Sequence, residues 1–84
     1  MKSTVKTFKI GEYAVGGIIK VEIIGKTIFI KTLDWFTKKV IDSGSISIIE
    51  NNAYHEIYDY LNELTSFYYA DKIINWIETK VKLN

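Results

Sequence analysis

Three of the five glycines lie in residues 11–17, and glycine-rich loops are a common cradle for phosphate groups. A P-loop, however, needs a Gly-Lys-Ser/Thr sequence that opens a helix, so that backbone N–H groups face the phosphate. Here Gly17 opens a run typical of a β-strand, and the next lysine, Lys20, falls inside that run. The spacing therefore argues against nucleotide binding and indicates a turn or bulge in which glycine permits a positive φ.

His55 is the only histidine, and the chain has no cysteine. These counts exclude a two-histidine metal site, cysteine metal sites and disulfides. His55 and Asp59, four residues apart, would form only a weak and open metal site, so we interpret His55 as a solvated side chain. The serines at 43, 45 and 47 lie in a strand-like segment without the glycine-flanked turn of a nucleophile elbow.

Glu56, Asp59 and Glu63 are the carboxylates whose spacing comes nearest to a catalytic pair. A general acid needs a pKa raised by burial, but the spacing i, i+3, i+7 places these three along one exposed helical face. We interpret them as a solvated acidic stripe. With no catalytic constellation, the sequence predicts a protein that is not an enzyme and uses no cofactor.

Aromatic residues make up 14% of the chain, and five of the six tyrosines lie in its second half. Tyr58 and Tyr60 point about 200° apart on a helix, so the tyrosines cannot all face one core. Tyrosine is enriched at protein interfaces. The sequence thus predicts an acidic, tyrosine-bearing face that suits a basic protein partner, formed by Tyr54, Glu56, Tyr58, Asp59, Tyr60 and Glu63. The alternative is that the rings cover the sheet edge with their hydroxyls in water.

Trp35 and Phe36 form a second candidate site, because two adjacent large aromatic residues in a loop are difficult to bury together. One of them could anchor an interface or stack on a single-stranded base. Lys31, Lys38 and Lys39 lie close to them in the sequence. This arrangement predicts nucleic-acid binding as the alternative function.

Charge is divided unevenly along the chain. Residues 1–40 carry a net +5 and residues 41–84 a net −4, which gives +1 overall. This division predicts two differently charged faces, although the halves of a small domain can also neutralise each other. All eleven basic residues are lysine, and lysine lacks the bidentate fork with which arginine reads guanine edges. Sequence-specific DNA recognition is therefore disfavoured.

The elements that must position these residues are strands in the first half and helices in the second. Alternating apolar residues predict strands within about 5–49, with Gly25-Lys26 as a two-residue hairpin turn and a possible bulge at Ser43-Gly44-Ser45. Helical spacing over about 51–82 predicts two helices with a break near Ser66. We expect one α+β domain, residues 1–84: an antiparallel β-meander of three to four strands, then two C-terminal helices on one sheet face.

Neither a membrane span nor a signal-peptide apolar block is present in the sequence, and we expect a cytoplasmic protein. The chain is rich in isoleucine, lysine, tyrosine and asparagine, a composition typical of an AT-rich genome. In size, in this composition and in its lack of catalytic motifs, it resembles small phage and mobile-element proteins, of which anti-CRISPR proteins are the best-known class. That resemblance implies an inhibitor that occupies a surface of a host nuclease or defence complex. A third interpretation is a structural protein that forms a homodimer through an edge strand or an aromatic patch.

Overall fold

The computed structural model describes residues 3–83, which form a four-stranded sheet followed by two helices. The strands are β1 (Ser3–Lys9), β2 (Gly17–Ile24), β3 (Thr27–Asp34) and β4 (Val40–Ser47), and the helices are α1 (Ala53–Leu64) and α2 (Phe67–Glu78). A single 3-10 turn, Gly11–Tyr13, lies between β1 and β2. The predicted α+β class and the order of strands before helices are confirmed.

The sheet is an antiparallel meander with the strand order β1-β2-β3-β4. β1 pairs along its whole length with β2, which settles the number of strands, predicted as three to four, at four. The turn between β2 and β3 is Gly25-Lys26, because Ile24 pairs with Thr27. Gly25 has a φ of 59°, as a two-residue hairpin requires at its first central position.

One face of the sheet is covered by the helices. The alternation of β2 and β3 turns Val21 and Ile30, which are direct cross-strand partners, towards this face. The helices supply their buried residues at spacings of three and four, as an amphipathic helix must to present one apolar stripe. The main core consists of these two sets together with Leu83 from the segment after α2: Ile19, Val21, Ile23, Ile28 and Ile30 from the sheet, and Ile57, Leu61, Leu64, Ala70, Ile73, Ile74 and Ile77 from the helices.

The opposite face of the sheet, which we call the open face, has no helix over it. Its central row contains Thr7, Lys20, Lys31 and Ser43, which are paired in that order across the four strands. Ile18 also points to this face by alternation, yet it is only 1% exposed. It does not belong to the cluster that the sheet forms with the helices.

The two helices are separate, as predicted. Thr65 and Ser66 leave the helical region of φ and ψ, and Ser66 is the extended residue that precedes α2. Asn52 and Ser66 directly precede α1 and α2, but neither side chain accepts a capping hydrogen bond from the first turn of its helix. α2 ends at Glu78, slightly before the predicted end, because the backbone N–H groups of the next residues turn back to Trp76 and Ile77.

The irregularity in β4 lies at a different place from the expected one. The register shifts where Thr32 pairs with Asp42 but Leu33 pairs with Val40, which leaves Ile41 as the extra residue. Gly44, where we expected a bulge, pairs regularly with Ile30. The correction has a physical reason: the Tyr60 ring lies over Gly44, and a Cβ there would come within 3.1 Å of it. Glycine at this position makes room for a ring and does not mark a bulge.

Across residues 3–83, neither helix combines the length and the apolar character needed to cross a membrane.

Candidate interaction surfaces

The solvent side of α1 carries carboxylates without any lysine. Glu56, Asp59 and Glu63 are all exposed, as the sequence predicted, and the helix contains no basic residue except His55. The Nε2 atom of His55 lies 3.2 Å from the Oδ2 atom of Asp59, and both side chains are more than half exposed. This is the only ion pair within residues 3–83, so the carboxylates of Glu56 and Glu63 have no cationic partner among the described side chains.

A stack of aromatic rings flanks this stripe on the side of α2. The rings of Tyr54 and Tyr58 stack at 6.3 Å between centroids, and Phe67 at the start of α2 lies 6.2 Å from Tyr58. Phe67 is 65% exposed and Tyr54 is 39% exposed, so the stack faces solvent. Partial desolvation raises the pKa of the Tyr58 phenol, and the nearby Asp71 carboxylate raises it further. Beside the stack, Asp71 of α2 thus adds a carboxylate to those of α1.

Tyr60 lies on the opposite flank of α1 from Tyr58, as their angular separation requires. Its ring packs on Gly44 of β4, and its hydroxyl is shielded from solvent without a well-aligned partner among the described residues. Burial raises the pKa of the Tyr60 phenol, and the charge of Asp42 raises it further. Of the six residues predicted on this face, Tyr60 is thus the one that contributes mainly to packing between helix and sheet.

Trp35 and Phe36 lie in a firmly built loop between β3 and β4. The Asp34 carboxylate accepts hydrogen bonds from the backbone N–H groups of Phe36 (2.9 Å) and Thr37 (2.8 Å). These bonds lower the pKa of Asp34. Lys38, at φ 62°, donates its Nζ to the carbonyl oxygen of Trp35 and lies 5.4 Å from the centroid of that ring. The loop holds Phe36 out into solvent with 87% of its surface exposed.

The glycine-rich segment packs against this loop. The backbone N–H of Trp35 donates to the carbonyl oxygen of Gly16 at 2.7 Å, and Trp35 lies against Gly17. Both glycines have a positive φ, 72° and 101°, as the sequence indicated. Between the two segments lies an open groove of about 380 Å³, lined by Gly11, Glu12, Ala14, Gly16, Gly17, Trp35 and Phe36. Its few polar groups and its shallow shape offer no cradle for a phosphate.

A further aromatic cluster was not predicted as a site. Tyr13 packs against Tyr69 at 5.9 Å, and Tyr69 meets Tyr68 edge-on at 5.0 Å. Lys72 lies 4.6 Å from the Tyr68 centroid, and hydrogen bonding to that tyrosine raises the pKa of Lys72. Spacing within α2 could have paired Tyr68 with Lys72, which are four residues apart. The contact with Tyr13, in contrast, depends on how the 3-10 turn docks on the helices.

The predicted site residues therefore separate into two regions. Tyr54, Glu56, Tyr58, Asp59 and Glu63 share the outer side of the helix layer, whereas Trp35 and Phe36 lie at one end of the sheet. Within the described chain, no three side chains of the types that hold metals come together. A scan against models of protein families gave no match, and searches of curated proteins and of solved structures gave none of significant similarity.

Proposed function

We propose that this protein is a non-enzymatic binding module whose helix layer contacts a basic surface on a protein partner. The observation that supports the proposal is the acidic stripe of α1 beside the exposed stack of Tyr54, Tyr58 and Phe67. Aromatic rings supply rigid contact area, and unpaired carboxylates select a positively charged partner and speed its approach.

The proposed partner is a nucleic-acid-binding protein, because such proteins present lysine and arginine clusters that α1 can cover. In this proposal the protein acts in the cytoplasm as an inhibitor of phage or mobile-element origin, similar in mode to anti-CRISPR proteins. Its target would be a host nuclease or defence complex. The negative charge of α1 would then occupy the site that the target normally offers to phosphates.

The test compares capture of proteins from host lysate by the wild-type chain and by two charge-matched variants, in nuclease-treated lysate. One variant carries Asp59→Lys and Glu63→Lys on the stripe, and the control carries Glu50→Lys and Glu78→Lys, which are exposed elsewhere. We expect the stripe variant alone to lose the partner, and the wild-type chain to block nucleic-acid binding by that partner. Equal capture by both variants would show that the stripe is not the contact surface.

A homodimer remains the alternative structural role, and β4 is the strand that favours it. This strand lies at the edge of the sheet, has no lysine or proline, and exposes Val40 and Ile41. An exposed edge strand can pair with another strand, and here the bulge at Ile41 and the charge of Asp42 are the features that oppose such pairing. Sedimentation at increasing protein concentration distinguishes the two roles, because a constant monomer mass would reject the dimer.

A further inference from the structure

We propose that the open face of the sheet binds single-stranded nucleic acid. This second surface lies on the side of the molecule opposite the acidic helix layer and is independent of the protein-binding proposal. Its central feature is the direct pairing of Lys20 with Lys31 across β2 and β3, both on the open face. Like charges directly opposite each other destabilise a sheet, so an anion placed between them would be favoured.

The lysines of this face are not neutralised by the protein itself. In residues 3–83, no lysine has a carboxylate within 4.0 Å, since the single ion pair there joins His55 and Asp59. Lys9 lies on the same face in the neighbouring row, because it pairs with Ile18. Against these three cations the face carries one acid, Glu22, which pairs with Phe29. A net positive surface of this kind tracks a phosphate backbone.

Aromatic side chains near these lysines favour a single strand over a duplex. Phe29 lies one row from Lys31 on the same face and is partly exposed. Phe36 lies in the turn that follows β3 and is 87% exposed. Bases stack on aromatic rings only where they are unpaired, and such stacking tolerates any sequence. Because the chain has no arginine, recognition by stacking and charge fits this face better than the reading of base edges.

A second copy of the chain is a poorer occupant of the same face. In a two-fold dimer formed face to face, Lys9, Lys20 and Lys31 of both copies would be buried against only the two Glu22 carboxylates, so most of these charges would lack a partner. Burying unpaired charges is strongly unfavourable. The central row thus selects a polyanion and disfavours self-association through this face.

The experiment titrates the full chain into a fluorescently labelled oligothymidine of about 12 nucleotides, followed by anisotropy at several salt concentrations. We expect binding that weakens as salt rises, and weaker binding of a duplex of the same length. The variant Lys20→Ala/Lys31→Ala should bind at least tenfold more weakly, with the slope of log K against log salt reduced by about 1.4, since each phosphate contact contributes about 0.7.

The control variant Lys72→Ala/Lys80→Ala removes the same charge from the helix layer and should leave the slope unchanged. Phe36→Ala, at a side chain that contributes little to the fold, should weaken binding of the single strand about tenfold and leave any duplex binding unaltered. The melting temperature of Lys20→Ala/Lys31→Ala should equal or exceed that of the wild type, because the change relieves repulsion. Absent binding at low salt, preference for the duplex, or equal losses from both lysine pairs would overturn the proposal.

Discussion

Gly44 illustrates how a single residue accommodates the packing of a helix on the sheet. Its φ is not in the left-handed region, but an added Cβ would meet the Cζ and hydroxyl oxygen of Tyr60 at 3.1 and 3.2 Å. We therefore expect Gly44→Val to lower the free energy of unfolding by about 1–3 kcal/mol, as overpacking does. Urea unfolding followed by fluorescence measures the change.

A Tyr60→Ala background provides the control for this substitution. Without the ring, valine has space and a better β propensity than glycine, so the same change should become neutral or stabilising by up to about 1 kcal/mol. If Gly44→Val destabilised both backgrounds equally, the ring contact would not be the cause.

We expect the Tyr60 hydroxyl to make the stability of the fold depend on pH in the alkaline range. Its pKa is raised above the ordinary value of 10.0, first by burial and then by Asp42. The unfolded chain therefore loses this proton before the folded chain does. The contribution of the Tyr60 phenol to the free energy of unfolding is thus complete below about pH 10 and is lost as pH rises through the folded pKa. Tyr60→Phe should be neutral or stabilising at pH 7, because it removes a shielded hydroxyl. It should also reduce the decline of the unfolding free energy above about pH 10.

The measurement for Tyr60 is the difference in unfolding free energy between Tyr60→Phe and the wild type across about pH 8–11. Lysine titration affects both proteins and cancels in this difference. Tyr54→Phe, at a solvent-facing ring, serves as the control and should give a smaller change. A Tyr60→Phe curve parallel to that of the wild type would contradict the assignment.

At the scale of elements, the loop after β3 depends on one carboxylate. Hydrogen bonds from the Thr37 and Phe36 backbone, together with Lys38, hold the pKa of Asp34 below its ordinary value of 3.8. The stabilisation is therefore present above about pH 4 and lost as pH falls through the folded pKa. In a Trp76→Phe background, Trp35 fluorescence should report loosening of the loop on acidification, and Asp34→Asn should remove that dependence while an amide oxygen still accepts bonds.

The packing of the glycine-rich segment on this loop gives a further prediction. A Cβ on Gly16 would lie 2.7 Å from the carbonyl oxygen of Leu33, and the residue has a φ of 72°. Gly16→Ala should therefore cost at least about 2 kcal/mol, since the left-handed backbone alone costs about 1–2 kcal/mol. Gly25→Ala is the matched comparison, with a φ of 59° but nothing within 4 Å, and should cost less. Equal losses in urea unfolding would show that backbone strain alone determines the effect.

The parts of the fold that the sequence predicted are those encoded locally. The Gly25-Lys26 hairpin follows from turn chemistry, and the separate helices follow from apolar spacing interrupted at Ser66. The role of Gly44 depends on a ring 16 residues away in the chain, which no local pattern reveals. For the same reason, the angular spacing correctly predicted that Tyr58 and Tyr60 point in different directions. It could not show that Phe67 extends the stack beside Tyr58 or that the Tyr60 ring packs on β4.

At the scale of the whole molecule, charge is separated between two layers. Residues 53–78 hold five acids and one lysine, whereas residues 3–47 hold seven lysines and four acids. The division along the sequence thus becomes a division between the helix layer and the sheet. Even the shortest extent of the Cα atoms is 19 Å. At physiological salt the screening length is about 8 Å, which allows each face to attract its own partner.

This separation predicts that substitutions on one proposed surface leave binding at the other surface intact. Asp59→Lys/Glu63→Lys should abolish capture of the protein partner and change oligothymidine affinity less than twofold, because added charge on the far layer is screened. Lys20→Ala/Lys31→Ala should do the reverse. Changes at distant sites without shared contacts add, so the quadruple variant should show the sum of both losses and no more. Both readouts, anisotropy and capture, are made on the same four proteins. If the helix-layer pair strengthened oligothymidine binding by as large a factor as the sheet pair weakened it, nucleic acid would be responding to net charge, and the open face would not be a distinct site.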